Sequence, residues 1–232
     1  MARKTKENTE YTHAALIDAA EQMFLDKGVA STTLAEIAAA AGMTRGAIYW
    51  HFKDKAALIQ AMCERATLPM ESLLNELAQQ DLADPLAAMR TLSLNMLMMV
   101  VQSERQQRVF TILFHRCEKN GELATTLAQE QKNQDKCLGQ LQQILDQAVR
   151  KKQLPPDTDT KLAMHVANAF LIGCMHQWLE SPGNYDLARS AAPMVDCMIA
   201  GLLANPPRRL PALVPAALPA ALPASLPGNR QR

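Results

Sequence analysis

The 232-residue chain has few aromatic residues and no long apolar run. Aromatic residues make up 4% of the sequence, whereas methionine and alanine are plentiful, and this mixture favours helices over a β-sandwich. No stretch approaches the ~20 consecutive apolar residues that a membrane span needs, and the N-terminal segment lacks a signal-peptide core. We therefore expect a cytoplasmic protein with no membrane partner.

The chain also lacks a paired cysteine motif, and its net charge is small. Its five cysteines are an odd set without a CxxC spacing, which argues against a secreted disulfide framework and predicts reduced thiols. With 24 basic and 23 acidic residues the net charge is +1, which taken alone argues against a polyanionic partner such as DNA. The 48% hydrophobic content nevertheless excludes wholesale disorder.

The motifs of common enzymes are missing as well. There is no GxSxG, no Walker glycine loop, no HExxH and no clustered pair of carboxylates, so we expect no catalytic activity. His115 and Cys117 are two residues apart, as are Cys174 and His176, and on a helix this spacing points side chains to different faces. Because metal ligands must converge, we predict neither a metal site nor a cofactor.

Helical periodicity runs through most of the chain, and no segment alternates like a half-buried strand. The sequence therefore predicts an all-α protein. Gly28 is placed to end the first helix in a left-handed conformation, and Thr33 has the capping-box spacing to Glu36. Thr44 and Asp54 can cap the next two helices. The expected helices cover about 10–27, 34–41, 45–51, 55–80, 85–102, 104–117, 122–152, 158–180 and 186–204.

Residues 33–52 contain two short helices joined by a tight turn at Gly42, and the longer first helix can brace them. This order is typical of a helix-turn-helix motif, whose second helix is presented to the DNA major groove. Short alanine-rich helices around a glycine also occur as ordinary core hairpins, so the pattern alone leaves both interpretations open. The residues expected to point inward are Phe24, Leu34, Ile37, Ala38, Ile48 and Phe52.

The string TTLAEIAAAAGMTRGAIYWHFKDKAAL narrows this choice. With MARKTK and FLDKGV ahead of it, the string resembles the N-terminal domain of the TetR family of bacterial transcriptional repressors, most closely the AcrR/TtgR group that controls multidrug efflux pumps. The resemblance is specific over residues 1–65 and weak over 66–205. It implies a three-helix DNA-binding domain at 1–54 and a helical effector-binding and dimerisation domain at 55–205.

The first turns of the proposed recognition helix carry the residues suited to base contacts. Gly46 has no side chain, so the backbone can approach the groove closely. Arg45 offers a guanidinium fork that pairs with guanine O6 and N7, with a solvated surface arginine as the alternative. Trp50 can either pack against the protein or face the groove.

Other residues of this segment are suited to phosphate contacts, which set the register on DNA without reading its sequence. Thr44, Tyr49 and His51 can donate hydrogen bonds, and Lys55 adds its charge to the positive end of the next helix. Thr33 can both cap its helix and bind phosphate. The full set of predicted DNA contacts is Thr32, Thr33, Thr44, Arg45, Gly46, Ala47, Tyr49, Trp50, His51 and Lys55.

The two ends of the chain differ in composition from the rest. Arg3, Lys4 and Lys6 form a basic arm that can reach the DNA backbone or minor groove, with a solvated start as the alternative. In residues 206–232 proline recurs at roughly four-residue spacing, which cannot continue a helix and indicates an extended or disordered tail. A dispensable tail is expected there, and a docking segment is the alternative.

One three-helix unit covers a single short half-site, so selective binding of double-stranded DNA implies a homodimer on a pseudo-palindromic operator. The recognition helices are then about one helical turn apart, roughly 34 to 36 Å. The resemblance implies that the last two helices pair across a two-fold axis, with intramolecular core as the alternative. The residues expected there are Ala163, Val166, Ala167, Phe170, Met194, Met198, Ile199 and Leu202.

Methionine-rich helices follow the proposed DNA-binding unit. Such methionines are usually core, although thioethers also line pockets that adapt to different guests. The family resemblance implies a large apolar cavity for a hydrophobic small-molecule effector, whose binding swings the helix at 55–80 and releases the operator. A non-efflux operon or a redox-responsive regulator is the alternative. The resemblance places Met89, Leu92, Met96, Phe110, Phe114, Cys137, Leu141, Ile172, Met175 and His176 near this cavity.

Overall fold

The structure is a computed structural model that describes residues 2–117 and 124–209, with side chains described for 9–117 and 135–209. Two large hydrophobic cores, joined by one long helix, and a third, smaller cluster that includes Leu145 and Ala163 organise these residues. Within the described ranges no β-strand occurs beyond a single isolated bridge. The helices are α1 (Ala2–Lys27), α2 (Leu34–Ala40), α3 (Arg45–His51), α4 (Lys55–Gln79), α5 (Pro85–Gln102), α6 (Glu104–Thr111), α7 (Ala124–Arg150), α8 (Thr160–Glu180) and α9 (Leu187–Ala204).

The all-α prediction is confirmed, and the expected helix ends are present. Gly28 adopts a positive φ of 82° directly after α1, as a left-handed C-cap requires. Thr33 and Glu36 form both halves of a capping box at the start of α2. Thr44 and Asp54 accept backbone N–H groups at the starts of α3 and α4. Polar side chains therefore set where three consecutive helices begin.

Helix α1 is longer than expected. It begins at Ala2 rather than near residue 10, because the polar segment ahead of the apolar stripe contains neither proline nor glycine to stop it. The side chains of the predicted basic arm, Arg3, Lys4 and Lys6, lie outside the described residues.

The helix predicted at 104–117 is divided. Regular α-helix ends at Thr111, and the next residues form a π-helical turn, Ile112–Arg116. A π turn widens the helix and changes the direction of the side chains that follow, and such turns occur often at functional sites. Periodicity alone did not reveal this change.

The first core lies among α1, α2, α3 and the N-terminal half of α4. It also extends beyond the expected boundary at residue 54, because α4 contributes residues as far as Ala66, α6 contributes Val109 and the π turn contributes Ile112. The side chains predicted to point inward, Phe24, Leu34, Ile37, Ala38, Ile48 and Phe52, are all buried there.

The second core is built by the rest of α4 with α5, α7, α8 and α9. Helix α4 packs on α7, α5 lies against α7 and α9, and α7 contacts α8. Between Ala66 and Met70, α4 leaves the first core and enters the second, and Pro69 lies in that interval. Since proline has no N–H, α4 loses one backbone hydrogen bond where it passes between the cores.

Helices α8 and α9 divide their apolar residues between the core and the surface. Val166 is 46% exposed, and Leu162 and Leu203 are 44% and 50% exposed. Helix α9 is long and apolar enough by composition to cross a membrane, yet only a third of it is buried in the chain. Five residues expected at a dimer interface, Ala163, Ala167, Met198, Ile199 and Leu202, lie instead in the intramolecular core, the alternative that the sequence left open.

After α9 the chain turns back onto the connection between α7 and α8. The N–H of Asp159 donates to the carbonyl of Pro207 at 2.8 Å, and the N–H of Arg209 donates to the carbonyl of Asp157 at 3.0 Å. Arg208 forms an ion pair with Asp157. The remainder of the predicted tail, 210–232, lies outside the described residues.

Candidate nucleic-acid interface and effector site

Helix α3 is anchored by one buried residue and by hydrogen bonds at both ends. Ile48 is fully buried in the first core. The hydroxyl of Thr44 accepts the N–H of Ala47 at 3.2 Å, and the N–H of Phe52 donates to the carbonyl of Ile48 at 2.8 Å. Gly42, with a φ of 68°, makes the tight turn from α2. These contacts hold α3 on the first core while its outer face stays open to solvent.

The outer face of α3 presents the predicted base-contacting residues. Arg45 is exposed, and its guanidinium carbon lies 5.6 Å from the centre of the Tyr49 ring, which is itself 49% exposed. Trp50 is 72% exposed, so it does not pack into the core. A Cβ atom on Gly46 would come no closer than 3.9 Å to the Thr44 hydroxyl, so the fold itself does not demand glycine here.

His51 is the last residue of the recognition helix, and its ring packs against His13 of α1. Its ring lies 4.6 Å from that of Trp50 and 5.6 Å from that of His13, centre to centre. Burial, and then the nearby charge of His13, lower the pKa of His51 from its ordinary value, which favours the neutral imidazole in the free protein. A cleft of about 290 Å³ opens at this junction and is lined by Thr9, Thr12, Ala47, Trp50 and His51.

The two threonines before α2 have different environments. Thr32 is fully buried and its hydroxyl donates to the carbonyl of Gly28 at 2.8 Å, so this hydroxyl is not available for the predicted phosphate contact. Thr33 is exposed, and its hydroxyl donates to Glu36 at 2.8 Å. Hydrogen bonds from the hydroxyl and N–H of Thr33, with help from Lys27, lower the pKa of Glu36 to about 2. Thr33 must leave this carboxylate to donate to a phosphate.

Lys55 lies in the first turn of α4, as predicted, and its ammonium group has protein partners. The Nζ atom donates to the carbonyl of Val29 at 3.0 Å and to that of Ala30 at 3.4 Å. An ammonium group has three N–H donors, so one is left for a phosphate. The N–H of Val29 in turn donates to the carbonyl of Arg116 at 3.1 Å. Lys55 therefore holds the connection between α1 and α2 in addition to its predicted role.

Most of the predicted effector residues come together in the second core. His176 joins them through its ring, 5.5 Å from that of Phe114, whereas Ile172 is half-buried and does not belong to this cluster. Met89 and Met175 are fully buried, so an effector that reaches them has to displace neighbouring side chains. The cluster contains Met89, Leu92, Phe110 and Met175 as buried members and Met96, Phe114, Cys137 and Leu141 at its edge.

A row of four rings runs along one edge of this cluster. Ring centres are 5.8 Å apart for Phe110 and Phe114, and 4.6 Å apart for His115 and His176. His115 was not predicted as a site residue, because the π turn that brings it against α8 leaves no mark in the periodicity. The row offers flat surfaces for stacking an aromatic molecule.

A second feature of this half lies at the turn between α8 and α9. A cleft of about 370 Å³ opens there beside Val101, Trp178, Tyr185 and Leu187, none of which was predicted as a site residue. The hydroxyl of Tyr185 donates to the carbonyl of Cys174 at 3.2 Å and so fixes the turn on α8.

The thiol of Cys137 lies at the edge of the second core. Burial, followed by the charge of Glu71, raises the pKa of this thiol above its usual value of 9.0. Because the thiolate is the reactive form, this shift disfavours a redox sensor at Cys137.

A capped, solvent-facing recognition helix attached to a second helical core defines a helix-turn-helix DNA-binding regulator. Residues 16–62 match the family model of bacterial regulatory proteins of the tetR family, and residues 84–203 match that of the C-terminal region of MAATS-type transcriptional repressors. The chain therefore belongs to the TetR family, whose members bind operator DNA.

Relatives of known role are similar over nearly the whole chain. The HTH-type transcriptional regulator AcrR of Shigella flexneri is 36% identical over 215 residues, which cover 91% of this chain and 99% of AcrR. NalD, the secondary repressor of the MexAB-OprM multidrug efflux pump in Pseudomonas aeruginosa, aligns with a TM-score of 0.72 at 32% identity, covering 84% of this chain and 97% of NalD.

A ligand complex is also among the similar structures. SmeT, the repressor of the Stenotrophomonas maltophilia multidrug efflux pump SmeDEF, has been solved with triclosan. That complex aligns with a TM-score of 0.73 at 29% identity and covers 90% of this chain and 99% of SmeT.

Proposed function

We propose that the chain is a dimeric repressor of a multidrug efflux operon, released from a pseudo-palindromic operator by hydrophobic small molecules. The observation that carries the proposal is α3, which presents Arg45, Tyr49 and Trp50 to solvent from a capped helix-turn-helix. AcrR, NalD and SmeT support the efflux assignment, and the SmeT complex with triclosan supports a hydrophobic effector. The protein acts by binding rather than catalysis, in the cytoplasm, where its DNA is.

The DNA-binding role is assigned to residues 1–54, together with Lys55 in the first turn of α4. Arg45 reads a guanine through its guanidinium fork, and Gly46 lets the helix approach the groove. Tyr49, His51 and the free donor of Lys55 contact phosphates. Approach of a phosphate favours the imidazolium form of His51, opposing the effect of burial on its pKa.

The dimerisation role is assigned to α8 and α9. Their exposed apolar residues, Leu162, Val166 and Leu203, have no covering surface in the described chain. A second copy related by a two-fold axis covers both helices at once, since an isologous contact pairs the same surface with itself. Dimerisation then sets the separation of the two recognition helices.

The effector-binding role is assigned to residues 55–205, at the ring row and the methionines beside it. A hydrophobic guest there displaces side chains such as Met96 and pushes on α4, which Pro69 weakens between the two cores. The N-terminal part of α4 then swings with the DNA-binding unit. Tenfold release requires the effector to prefer the released state by only about 1.4 kcal/mol.

Footprinting of the DNA upstream of the chain's own gene, with and without triclosan, tests the proposal. We expect a protected pseudo-palindrome that triclosan exposes again, and weaker protection at the same protein concentration with the Arg45→Ala variant. Protection beside a gene unrelated to efflux would favour the non-efflux alternative. Equal affinity for the upstream region and for shuffled DNA would contradict the repressor assignment itself.

A further inference from the structure

A fully buried carboxylate lies at the seam between the two cores. Glu21 of α1 has no solvent exposure. It lies on the buried face of the helix, between the apolar residues Ile17 one turn before it and Phe24 one turn after it. A buried charge is stable only when it is paired, so its partners carry structural information. Its position within the apolar stripe of α1 is the signal that sequence reasoning could have used.

The partners of Glu21 come from two other helices. Arg65 of α4 pairs with one carboxylate oxygen. Arg108 and Arg105 of α6 approach the other oxygen at 3.4 Å and 3.9 Å. One turn earlier on α1, Asp18 pairs with Arg65 at 2.8 Å and with Arg105 at 3.1 Å. Two carboxylates of the DNA-binding unit therefore hold three guanidinium groups.

Helix α6 faces both cores at once. One face of this segment points towards α1, and the spacing of its residues is that of a single helix face: Arg105, Arg108, Val109 and Ile112. The two arginines on this face form the ion pairs, and the two apolar residues pack in the first core. Phe110 belongs to the second core, beside the effector residues. A guest that pushes on Phe110 therefore acts on the helix that carries the two arginines.

We propose that the pairs of Glu21 and Asp18 with Arg105 and Arg108 hold α6 in the effector-free, DNA-binding arrangement, and that effector binding separates them. Glu21 and the two α6 arginines are thus positioning residues for release. The proposal rests on the proposed function, because it names the contact through which that function is regulated.

The geometry makes this contact releasable without exposing an unpaired charge in the core. Arg105 and Arg108 are 45% and 30% exposed, so water can solvate their guanidinium groups after they separate. Arg65 stays on Glu21 because α1 and this part of α4 pack only in the first core, whereas α6 also places Phe110 in the second. The buried carboxylate therefore keeps one partner in both arrangements, as a two-state contact requires.

A double variant, Arg105→Gln with Arg108→Gln, tests the proposal in the full-length protein. We expect faster amide hydrogen exchange in residues 104–116, and about tenfold weaker binding to the footprinted operator. Less triclosan should then suffice for half release. Helical content should remain that of the parent protein, because Arg65 still pairs with Glu21. Restoring the charges as lysines should recover part of the operator affinity.

A matched control variant and a double-mutant cycle separate the proposed role of the α6 arginines in release from a general loss of stability. Arg90→Gln removes an Arg–carboxylate pair with Asp196 that lies within the effector half, and should leave operator affinity unchanged. Glu21→Gln should weaken operator binding more in the parent protein than in the double variant, where the pairs with Arg105 and Arg108 are already absent and only the pair with Arg65 is lost.

The possible outcomes distinguish this proposal from the proposed function. Parental exchange rates at 104–116 in the double variant would overturn the contact, whether or not the protein binds an operator. Parental operator affinity in the double variant would overturn its role in regulation. Absence of any footprint with the parent protein would contradict the proposed function, and the exchange measurement would then decide the contact alone.

Discussion

The ammonium nitrogen of Lys55 lies 3.0 Å from the carbonyl oxygen of Val29, so the first turn of α4 holds the connection between α1 and α2. The N–H of the same Val29 donates to the carbonyl of Arg116 in the π turn. The backbone carbonyl and N–H of Val29 are therefore both hydrogen-bonded to elements that follow the helix-turn-helix in sequence. The connection between α1 and α2 is held by α4 on one side and by the π turn on the other.

Lys55→Ala separates the structural role of this lysine from its proposed phosphate contact. Loss of a phosphate contact should weaken binding to all DNA sequences alike and flatten the salt dependence of log K by about one unit. Loss of the two carbonyl contacts should lower the free energy of unfolding by about 1 to 3 kcal/mol. Affinity measurements at several salt concentrations, with urea unfolding, check both. An unchanged salt slope with reduced stability would leave Lys55 only its structural role.

Arg45→Ala should cost about 1 to 3 kcal/mol of operator binding and relax the base preference at one position, because the guanidinium fork reads guanine. Arg45→Lys is the matched variant: it keeps the positive charge and loses the fork, so it should lose discrimination and keep the salt slope. Competition binding with operators substituted at each position measures both. Equal losses on specific and random DNA for Arg45→Ala would contradict the base-reading assignment.

The capping box of α2 makes the stability of the DNA-binding unit depend on pH. The pKa of Glu36 is about 2 in the folded chain, below its ordinary 4.5, so the folded state favours the carboxylate form. The contribution of the Glu36 carboxylate to the free energy of unfolding is therefore complete above pH 4.5 and is lost as the pH falls from 4.5 towards 2. Glu36→Gln should flatten the pH dependence of the unfolding free energy in this window, as urea unfolding at several pH values would show.

Loss of the Thr33 hydroxyl should also change how the free energy of unfolding depends on pH between 4.5 and 2. Thr33→Ala removes the side-chain acceptor at the N-cap and should lower the free energy of unfolding by about 1 kcal/mol near neutral pH. It also removes the largest cause of the low pKa of Glu36, so the acid-dependent loss of stability should become smaller. An unchanged acid profile in this variant would mean that the backbone N–H of residue 33 and Lys27 are enough to hold the carboxylate charged.

Charged substitutions on α8 and α9 should separate the proposed dimer. Val166→Glu with Leu203→Glu places four carboxylates in a two-fold interface, where burial and repulsion oppose association. We expect a folded monomer by analytical ultracentrifugation and loss of operator-specific binding, because one unit reaches only one half-site. Leu68→Glu, at a residue of α4 that is 54% exposed, is the matched control and should stay dimeric. A dimeric double variant would place the interface elsewhere.

Local chemistry in the sequence determined the DNA-binding unit. Gly28, Gly42, Thr33, Thr44 and Asp54 sit where helix ends require them, and caps act over three or four residues, so their positions are readable without a structure. The buried side of the helix-turn-helix could also be predicted, because helical periodicity likewise depends on residues three or four positions apart. Family resemblance then supplied the role of the exposed side.

The second half depended on contacts between residues distant in sequence. Periodicity marks an apolar face and does not say which helix covers it, so Ala163, Met198 and Leu202 were assigned to a dimer interface and lie in the monomer core. Likewise, no local signal paired Lys55 with Val29, which are 26 residues apart.

Tertiary packing alone decided how the two halves are joined. The π turn, the ring pair of His115 with His176 and the arginines around Glu21 all depend on where α6 lies against α1 and α8. A charge such as that of Glu21 is acceptable in the interior only because three helices converge on it. The sequence by itself therefore determined which surface meets DNA, whereas the packing of α6 decided which contacts can connect that surface to the effector-binding half.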